Sequence, residues 1–401
     1  MKIPIRSVLA INCLIMLIIV STATIMQPNL TILNVDAQTD GEKPSDRNTT
    51  PIVYDSESDR SILFGGWTED FTSLGDTWAY DLNTNTWENK SPLSAPGIRG
   101  GHAFAYDEES DRVILFSGQE SGASETLENW NDTWAYDYNT NTWENLEPIN
   151  MPPPRLSAAM VYDSESDVCI LFGGIPDGGS FVGDTWAYDY NTNTWTNMSP
   201  LVSPSNRVSS MAYDIESDRV VLYGGGGYIF WPLVMHTDTW VYDYNSNTWS
   251  EMTPADNPLS MGMITYDEDS DVCVFHGGTL DWYEVSIVTE TWTYDYNTNM
   301  WTQIDTEQYP EPRSRIGITY DSESDCVILH SGGQLEIEDG DWENATYDII
   351  NDLWIYDANT ETWEKMYPLI SHPFDPVLLL IIGGGVTILA IVILFFIQGK
   401  K

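Results

Sequence analysis

The side chains that could carry out chemistry in this sequence are few in kind. The 401 residues include five histidines and four cysteines; His276 directly precedes a glycine pair, and His330 is separated from the next pair by Ser331. The sequence has no Gly-x-Ser-x-Gly elbow, His-Glu-x-x-His pair or phosphate-binding glycine loop. Cys-x-x-Cys spacing is also absent, so Cys169, Cys273 and Cys326 are expected to be buried free thiols. The residue types therefore predict no catalytic centre, no metal and no cofactor.

Acidic residues dominate the charge of the chain. Sixty-one Asp and Glu against 16 Lys and Arg give a formal net charge of −45. Nucleic acids and anionic lipid surfaces are bound mainly through Lys and Arg, so both are excluded as partners. Twenty of the acids lie in six short turns: Asp55, Glu57 and Asp59; Asp107, Glu108, Glu109 and Asp111; Asp163, Glu165 and Asp167; Asp214, Glu216 and Asp218; Asp267, Glu268, Asp269 and Asp271; and Asp321, Glu323 and Asp325.

These acidic turns raise the question of calcium. Alternating carboxylates could bind Ca²⁺, which takes roughly six to eight oxygen ligands, and the run Asp189, Asn191, Asn193 suggests the same chemistry. The loop glycine and bidentate Glu of an EF-hand are missing, however, and Asp and Asn suit tight turns without a metal. Metal-free turns are the prediction, with Ca²⁺ as the alternative.

The acidic turns belong to a repeat with a period of 51 to 56 residues. Each unit contains four short segments: one ends in Tyr-Asp, one is an apolar run that closes on glycine, one contains Asp-Thr-Trp-x-Tyr-Asp or a variant, and one starts at Trp. Their Val, Ile, Tyr, Trp and Thr content, bounded by Asp, Asn, Gly and Pro, predicts strands. The second segment is apolar at consecutive positions, which predicts a strand covered on both faces.

These motifs resemble the kelch-repeat family, which also has a glycine pair after an apolar strand and a Tyr-Asp followed by a spaced Trp. The resemblance covers residues 51–368 and implies an all-β fold, a six-bladed kelch-type β-propeller with four antiparallel strands per blade. The repeats are expected at about 51–91, 99–147, 155–200, 207–254, 261–305 and 315–368. Unit one is read as lacking an Arg before its first strand, and each unit carries its own four strands, so packing alone should close the ring.

Recognition is predicted at one end of the blades. If strands A to D of each unit run antiparallel, the A–B and C–D turns lie at one end, and the variable B–C loops and the D–A linkers lie at the other. Variable loops on a rigid repeat scaffold are the usual place for recognition. The candidate ligand-binding aromatics, some of which could instead fold back over the blade ends, are Trp67, Phe71, Trp130, Phe181, Tyr228, Phe230, Trp231, Trp282, Tyr283 and Trp342. The candidate arginines, which could ring the central channel or belong to the framework, are Arg99, Arg155, Arg207 and Arg315.

The two ends of the chain differ from the repeats. Residues 1–37 contain an apolar run after Lys2 and Arg6, which fits a signal peptide or an N-terminal anchor, and residues 38–50 are a polar linker. After a second linker at 369–376, residues 377–397 are apolar, uncharged and long enough for a transmembrane helix, and the basic tail 398–401 favours the cytoplasmic side. The chain is therefore predicted to be a single-pass cell-membrane protein with an extracellular propeller. The candidate glycosylation sites are Asn48, Asn89, Asn131, Asn197 and Asn344.

Three functions remain open at this point. The prediction is a recognition or adhesion module that binds a protein or glycan through the variable loops. A structural surface-layer component is the first alternative, because nothing in the sequence names a ligand. The second is an enzyme, either a copper-radical oxidase of the galactose-oxidase type or another carbohydrate-active enzyme. The kelch resemblance implies the former, because kelch-like propellers include such oxidases. They need a Cys cross-linked to a Tyr, however, and here the cysteines begin the second strands, away from His276 and His330.

Overall fold

The computed structural model describes residues 43–121, 129–228, 233–281, 286–336, 346–366, 378–379 and 390–391. Every regular element among these residues is a β-strand. Residues 41–371 form one compact unit, and residues 1–40 with 372–401 form a second. The predicted signal segment, the linker 369–376 and the tail 398–401 lie outside the described residues.

The first unit contains 28 strands. They are β1 (Ile52–Asp55), β2 (Arg60–Phe64), β3 (Thr77–Asp81), β4 (Thr86–Asn89), β5 (Ala103–Asp107), β6 (Arg112–Phe116), β7 (Thr133–Asp137), β8 (Thr142–Asn145), β9 (Arg155–Leu156), β10 (Ala159–Asp163), β11 (Val168–Phe172), β12 (Ile175–Pro176), β13 (Thr185–Asp189), β14 (Thr194–Asn197), β15 (Val208–Asp214), β16 (Arg219–Tyr228), β17 (Leu233–Asp243), β18 (Thr248–Met252), β19 (Met261–Asp267), β20 (Val272–Thr279), β21 (Thr291–Asp295), β22 (Met300–Ile304), β23 (Gly317–Asp321), β24 (Cys326–His330), β25 (Gly333–Glu336), β26 (Thr346–Ile349), β27 (Leu353–Asp357) and β28 (Thr362–Met366).

Twenty-four of these strands form six antiparallel sheets of four, which are the six blades. Their orders are β1-β2-β3-β4, β5-β6-β7-β8, β10-β11-β13-β14, β15-β16-β17-β18, β19-β20-β21-β22 and β23-β24-β27-β28. We call the strands of each blade A to D in chain order. Two further pairs, β9 with β12 and β25 with β26, lie in the connections of blades 3 and 6. The predicted all-β, six-bladed propeller with four strands per blade is confirmed.

The strand-B segments form the buried centre of each blade. Strands β11 and β24 are buried at every position, as the consecutive apolar pattern predicts for a strand covered on both faces. The fifth residue of strand B packs on the strand-D Trp of the next blade, as Phe64 does on Trp143 with ring centroids 5.1 Å apart. We call each such contact between neighbouring blades a seam.

Five seams share one hydrogen bond. The strand-D Trp donates its indole N–H to the Thr that directly precedes the strand-C Trp of the preceding blade: Trp143 to Thr77, Trp195 to Thr133, Trp249 to Thr185, Trp301 to Thr239 and Trp363 to Thr291, at 2.9–3.1 Å. The closing seam, between blades 6 and 1, differs because Leu353 takes the place of Thr and Trp87 packs on His330 at 5.0 Å.

Residues before β1 help to close the ring. The Ser331 hydroxyl of blade 6 donates to the carbonyl of Arg47, and the Asn351 amide donates to the Pro44 carbonyl at 2.8 Å. Arg47 is completely buried. The predicted boundary at residue 51 is therefore wrong, because the segment from Pro44 onward packs into the closing seam. The six sheets share no strand, so closure by packing is as expected.

In the second unit, the described residues are two short paired strands, β29 (Leu378–Leu379) and β30 (Ala390–Ile391). They fall within the predicted transmembrane segment and are strands there, not helix. No helix that is long and apolar enough to cross a bilayer occurs in the part of the chain that the structure describes.

Candidate functional site

The six A strands surround a central cavity of about 640 Å³. Its wall has two ends because each strand A runs from the D–A linker to the A–B turn. At the loop end, beside the B–C loops and D–A linkers, the lining residues are Thr49, Gly101, Leu156, Ser157, Ile175, Val208, Ser209, Met261, Gly262 and Arg315. At the turn end they are Ser56, Glu108, Ser164, Ile215, Glu268 and Ser322.

The two ends differ in charge. Both carboxylates among the described lining residues, Glu108 and Glu268, belong to the turn end. Burial, and then the charge of Glu108, raise the pKa of Glu268. The loop end instead combines apolar side chains and hydroxyls with the cationic Arg315. In a chain of net charge −45, the loop end of the cavity is thus a local surface without acids among its described residues.

Most exposed apolar side chains belong to the B–C loops and D–A linkers, although Ile149 of one linker is hydrogen-bonded to the C–D turn of blade 3. Of the eleven exposed large apolar residues in the described chain, Ile215 and Met300 belong to the turn end. The other nine lie in the B–C loops and D–A linkers: Phe71, Leu93, Ile98, Ile149, Leu201, Val202, Leu259, Leu280 and Tyr309. Apolar surface of this kind is what a protein partner can bury.

Backbone hydrogen bonds between blades shape the loop end. The N–H of Thr49 donates to the carbonyl of Arg315 at 3.1 Å, Gly101 donates to Thr49 at 3.1 Å, and Ser157 donates to Gly101 at 2.7 Å. All four residues have positive φ, between 52° and 62°. Blades 4 and 5 differ, because their A strands β15 and β19 extend through the corresponding positions. Backbone hydrogen bonds therefore join blades 6, 1, 2 and 3 at the mouth of the cavity, and the longer strands β15 and β19 line its other side.

At the turn end, the acidic turns are held by their own hydrogen bonds. In blade 3, Asp163 Oδ1 accepts from the N–H of Ser166 at 2.9 Å, Asp167 Oδ1 accepts from Tyr162 at 2.9 Å, and Asp167 Oδ2 accepts from Asn191 at 2.7 Å. Burial raises the pKa of the first Asp of each turn, and it raises that of Asp107 to about 6. These carboxylates are used within the turns, and no group of three or more potential metal ligands occurs among the described residues. The geometry thus gives the turns a structural use; calcium binding stays a question for experiment.

The arginines before strand A are buried framework residues, not channel residues. Arg99 is 0% exposed and binds both oxygens of Asp132 at 2.6 and 2.8 Å. It also donates to the carbonyls of Gly97 at 2.9 Å and Ser117 at 2.8 Å. The same pairing joins Arg47 to Asp76, Arg155 to Asp184, Arg207 to Asp238 and Arg313 to Asp352. The interpretation of Arg99, Arg155 and Arg207 as ligand contacts is therefore wrong.

Two members of this set were missed from the sequence. Arg47 supplies the arginine that unit one was expected to lack, and Arg313, not Arg315, is the buried arginine of blade 6. The signal was spacing: Arg47, Arg99, Arg155 and Arg313 each stand seven residues before the Tyr of Tyr-Asp. Burial opposes ionisation of Asp352, but hydrogen bonds and charge from Arg313 outweigh it and lower the pKa of that carboxyl to about 2.

The described candidate aromatics divide between surface and interior. Trp67 and Phe181 are buried, and the Trp67 indole donates to Ser73 at 3.1 Å. Trp130 is partly buried, with its ring 4.9 Å from the guanidinium carbon of Arg99, and Phe71 is exposed. Phe230, Trp231, Trp282, Tyr283 and Trp342, and the side chain of Tyr228, lie outside the described residues. Among the described aromatics, Phe71 is exposed, Trp130 is partly buried, and Trp67 lines the central cavity.

The histidines and cysteines occupy seams and strand interiors. His276 packs on Trp363 at 4.7 Å and His330 on Trp87 at 5.0 Å, where blades 1 to 3 have Phe. Cys169, Cys273 and Cys326 are free thiols and buried, as predicted, and burial raises the pKa of Cys326 to about 12. The two histidines thus act as interblade aromatic side chains.

The candidate glycosylation sites differ in accessibility. Asn48 is 1% exposed, so its sequon is buried in the folded protein and that candidate is wrong. Asn131 and Asn197 are exposed, Asn89 is partly exposed, and Asn344 lies outside the described residues. In Asn89 and Asn197 the side-chain oxygen accepts from the serine two residues later.

The geometry defines a class of protein: a closed six-bladed β-propeller around a central cavity, whose blades are stabilised by buried Arg–Asp pairs and, at five seams, by Trp-to-Thr hydrogen bonds. The chain matches the model of the KLHDC2/KLHL20/DRC7 Kelch-repeats domain over residues 27–225 and 131–333. It therefore belongs to the kelch-repeat family.

Named relatives support the same assignment. The chain is 25% identical over 298 residues to Kelch domain-containing protein 10 of Xenopus tropicalis, covering 70% of this chain and 67% of that protein. It is 24% identical over 295 residues to the Homo sapiens protein of the same name, covering 69% and 62%. An F-box/kelch-repeat protein of Arabidopsis thaliana is 27% identical over 202 residues, covering 46% and 40%. The match spans about two thirds of the first two proteins, and none of the three names states an enzymatic activity.

Proposed function

We propose that this propeller is a protein-recognition module that binds a segment of its partner at the loop end of the central cavity. The observation that carries the proposal is that no Asp or Glu is among the described residues lining this mouth, in a chain of net charge −45. A partner can approach there without meeting the carboxylates that cover the turn end. Kelch propellers suggest the same class of function.

The chemistry of the mouth indicates the kind of segment that fits. Leu156, Val208 and Met261 offer apolar contact, Ser157 and Ser209 offer hydroxyls, and Arg315 offers a cation. A segment with apolar side chains and an anionic or polar end would use all three. Phe71 and the exposed linker residues would extend the interface outward. A glycan is the other ligand that aromatic and hydroxyl groups suit.

The finer proposal places the propeller outside the cell on a membrane anchor. The apolar segments at 8–20 and 377–397, with the terminal lysines, support this topology. The proposed function is binding without catalysis, with a structural surface-layer role as the alternative.

The test is affinity capture by the full chain from the native cell surface under gentle cross-linking. Met261→Asp and Arg315→Glu change the mouth, and Ile215→Asp is the matched control, an exposed apolar residue at the turn end. We expect a partner that wild type and Ile215→Asp retain and the mouth variants lose. Equal capture by all variants would place recognition elsewhere, and no capture would favour the surface-layer role.

A further inference from the structure

Three buried histidines lie in three consecutive seams of the ring. His276 lies between blades 5 and 6, His330 in the closing seam, and His102 between blades 1 and 2. The remaining seams are built on Phe116 with Trp195, Phe172 with Trp249, and Tyr223 with Trp301. Three consecutive seams therefore contain a buried imidazole, and in the other three a Phe or Tyr packs on the Trp. Seam 1/2 contains both His102 and the Phe64–Trp143 pair.

Each imidazole lies where a charged form has poor partners. His276 Nδ1 is 3.0 Å from the Thr291 hydroxyl, which already accepts from Trp363, and His276 Nε2 has no hydrogen-bond partner among the described residues. Both ring nitrogens of His102 and Nδ1 of His330 are likewise without a partner in the described chain. All three side chains are at most 4% exposed.

The charged groups around these rings are mainly arginines of the buried framework. Arg47, Arg313 and the carboxylate of Asp352 face His330, and Asn351 hydrogen-bonds to His330. Arg313 faces His276, and Arg99 faces His102. Burial, followed by these guanidinium charges, lowers the pKa of His276 and of His330 to about 3 and that of His102 well below its usual value.

At the closing seam the first and last blades meet without a linker between them, whereas a D–A linker joins the two blades at every other seam. It lacks the Trp-to-Thr hydrogen bond of the other seams, since Leu353 stands at the Thr position. Blade 1 has its own buried pair, Arg47 with Asp76. Hydrogen bonds that cross this seam join Ser331 to Arg47, Asn351 to Pro44 and Asp46, and Thr49 to Arg315.

We propose that acid opens the propeller at its closing seam, where a proton on His330 separates blade 6 from blade 1. Seams 2/3, 3/4 and 4/5 stay packed. The Thr49–Arg315 hydrogen bond at the cavity mouth crosses the same seam, so opening would also change the recognition site, a consequence that rests on the proposed function.

The expected size follows from proton linkage. The closed seam binds fewer protons than the open one between pH about 6.5, where a free imidazole titrates, and pH about 3, so opening is favoured as the pH falls. At pH 5 the released His330 imidazole raises the opening equilibrium constant about 30-fold over its value near neutrality.

Carboxyls at the turn end act in the opposite direction. Asp321 beside Tyr54 in the closing seam, Asp55 beside Tyr106 in seam 1/2, and Asp267 beside Asp325 in seam 5/6 have raised pKa values, mainly because of burial. They take up protons in the closed ring as the pH falls and reduce the net opening. A comparison of His→Phe variants with wild type at each pH cancels this contribution, since the carboxyls are common to both.

The test is hydrogen–deuterium exchange by mass spectrometry on the full chain at about pH 7.5 and about pH 5, with exchange times scaled for the intrinsic rate. Peptides covering β4 and β24 report on the closing seam, and peptides covering β11 and β18 report on seam 3/4. We expect acid to lower protection in the closing seam alone, and His330→Phe, the residue of blades 1 to 3, to abolish the loss. The reciprocal variant Phe172→His should confer acid sensitivity on seam 3/4.

An equal loss of protection in both seams, or an undiminished loss in His330→Phe, would overturn the proposal. If His330→Phe does not fold, Phe172→His decides by itself: a folded Phe172→His protein whose seam 3/4 ignores acid also overturns it. No ligand is present in this experiment, so its failure would leave the proposed recognition function standing.

Discussion

The charge of Asp132 should be required for stability in a way that surface carboxylates are not. Asp132→Asn keeps the shape and the acceptor for Trp134, whose indole donates to the Asp at 2.8 Å. It leaves Arg99, 0% exposed, with an uncompensated buried charge. Removing one partner of a buried ion pair costs about 3–5 kcal/mol, because the desolvated charge remains. The remaining contacts of Arg99, with two carbonyls and the ring of Trp130, carry no negative charge.

Urea unfolding followed by tryptophan fluorescence measures this change. The matched control is Asp81→Asn, which removes one of the two carboxylates beside Arg60, the other being Asp59, in a pair whose side chains are 17% and 26% exposed. That change should cost less than about 1 kcal/mol. Arg99→Met in the Asp132→Asn protein should recover part of the lost stability, because it removes the unpaired charge and fills most of the space. A cost for Asp132→Asn no larger than that of Asp81→Asn would refute the reasoning.

Two further predictions concern the seams and the acidic turns. Thr185→Val should lower the free energy of unfolding by about 1–3 kcal/mol, because the buried indole N–H of Trp249 loses its acceptor. Thr302→Val, at an exposed position of β22, should change it by less than about 0.5 kcal/mol in the same denaturation assay, and equal effects would contradict the role of the seam bond. Titrating Ca²⁺ into chelator-treated protein should shift the melting temperature by less than about 1 °C, since the turn carboxylates already accept hydrogen bonds. A saturable rise of several degrees would show that calcium binds.

The repeat pattern was sufficient to predict most of the fold. The spacing of Tyr-Asp, the apolar run before glycine and the Asp-Thr-Trp motif predict six units of four strands, and the sheets confirm it. Local sequence suffices there because each blade is built from neighbouring segments joined by short turns. The roles inside the Asp-Thr-Trp motif were not predictable, because each residue acts on a different part of the molecule. Asp132 binds Arg99 from the preceding linker, and Thr133 accepts from Trp195 of the next blade.

Sequence alone determined the fold class, the number of blades and the excess of acid, and it predicted recognition at the loop end. Only the tertiary structure decided which side chains are available. Arg99, Arg155 and Arg207 look like surface cations in the sequence, but packing buries them beside carboxylates about thirty residues away. The structure likewise set Arg313 apart from Arg315, and it placed three histidines in neighbouring seams. The physical reason is that burial and pairing depend on contacts within and between blades that residues far apart in the sequence make.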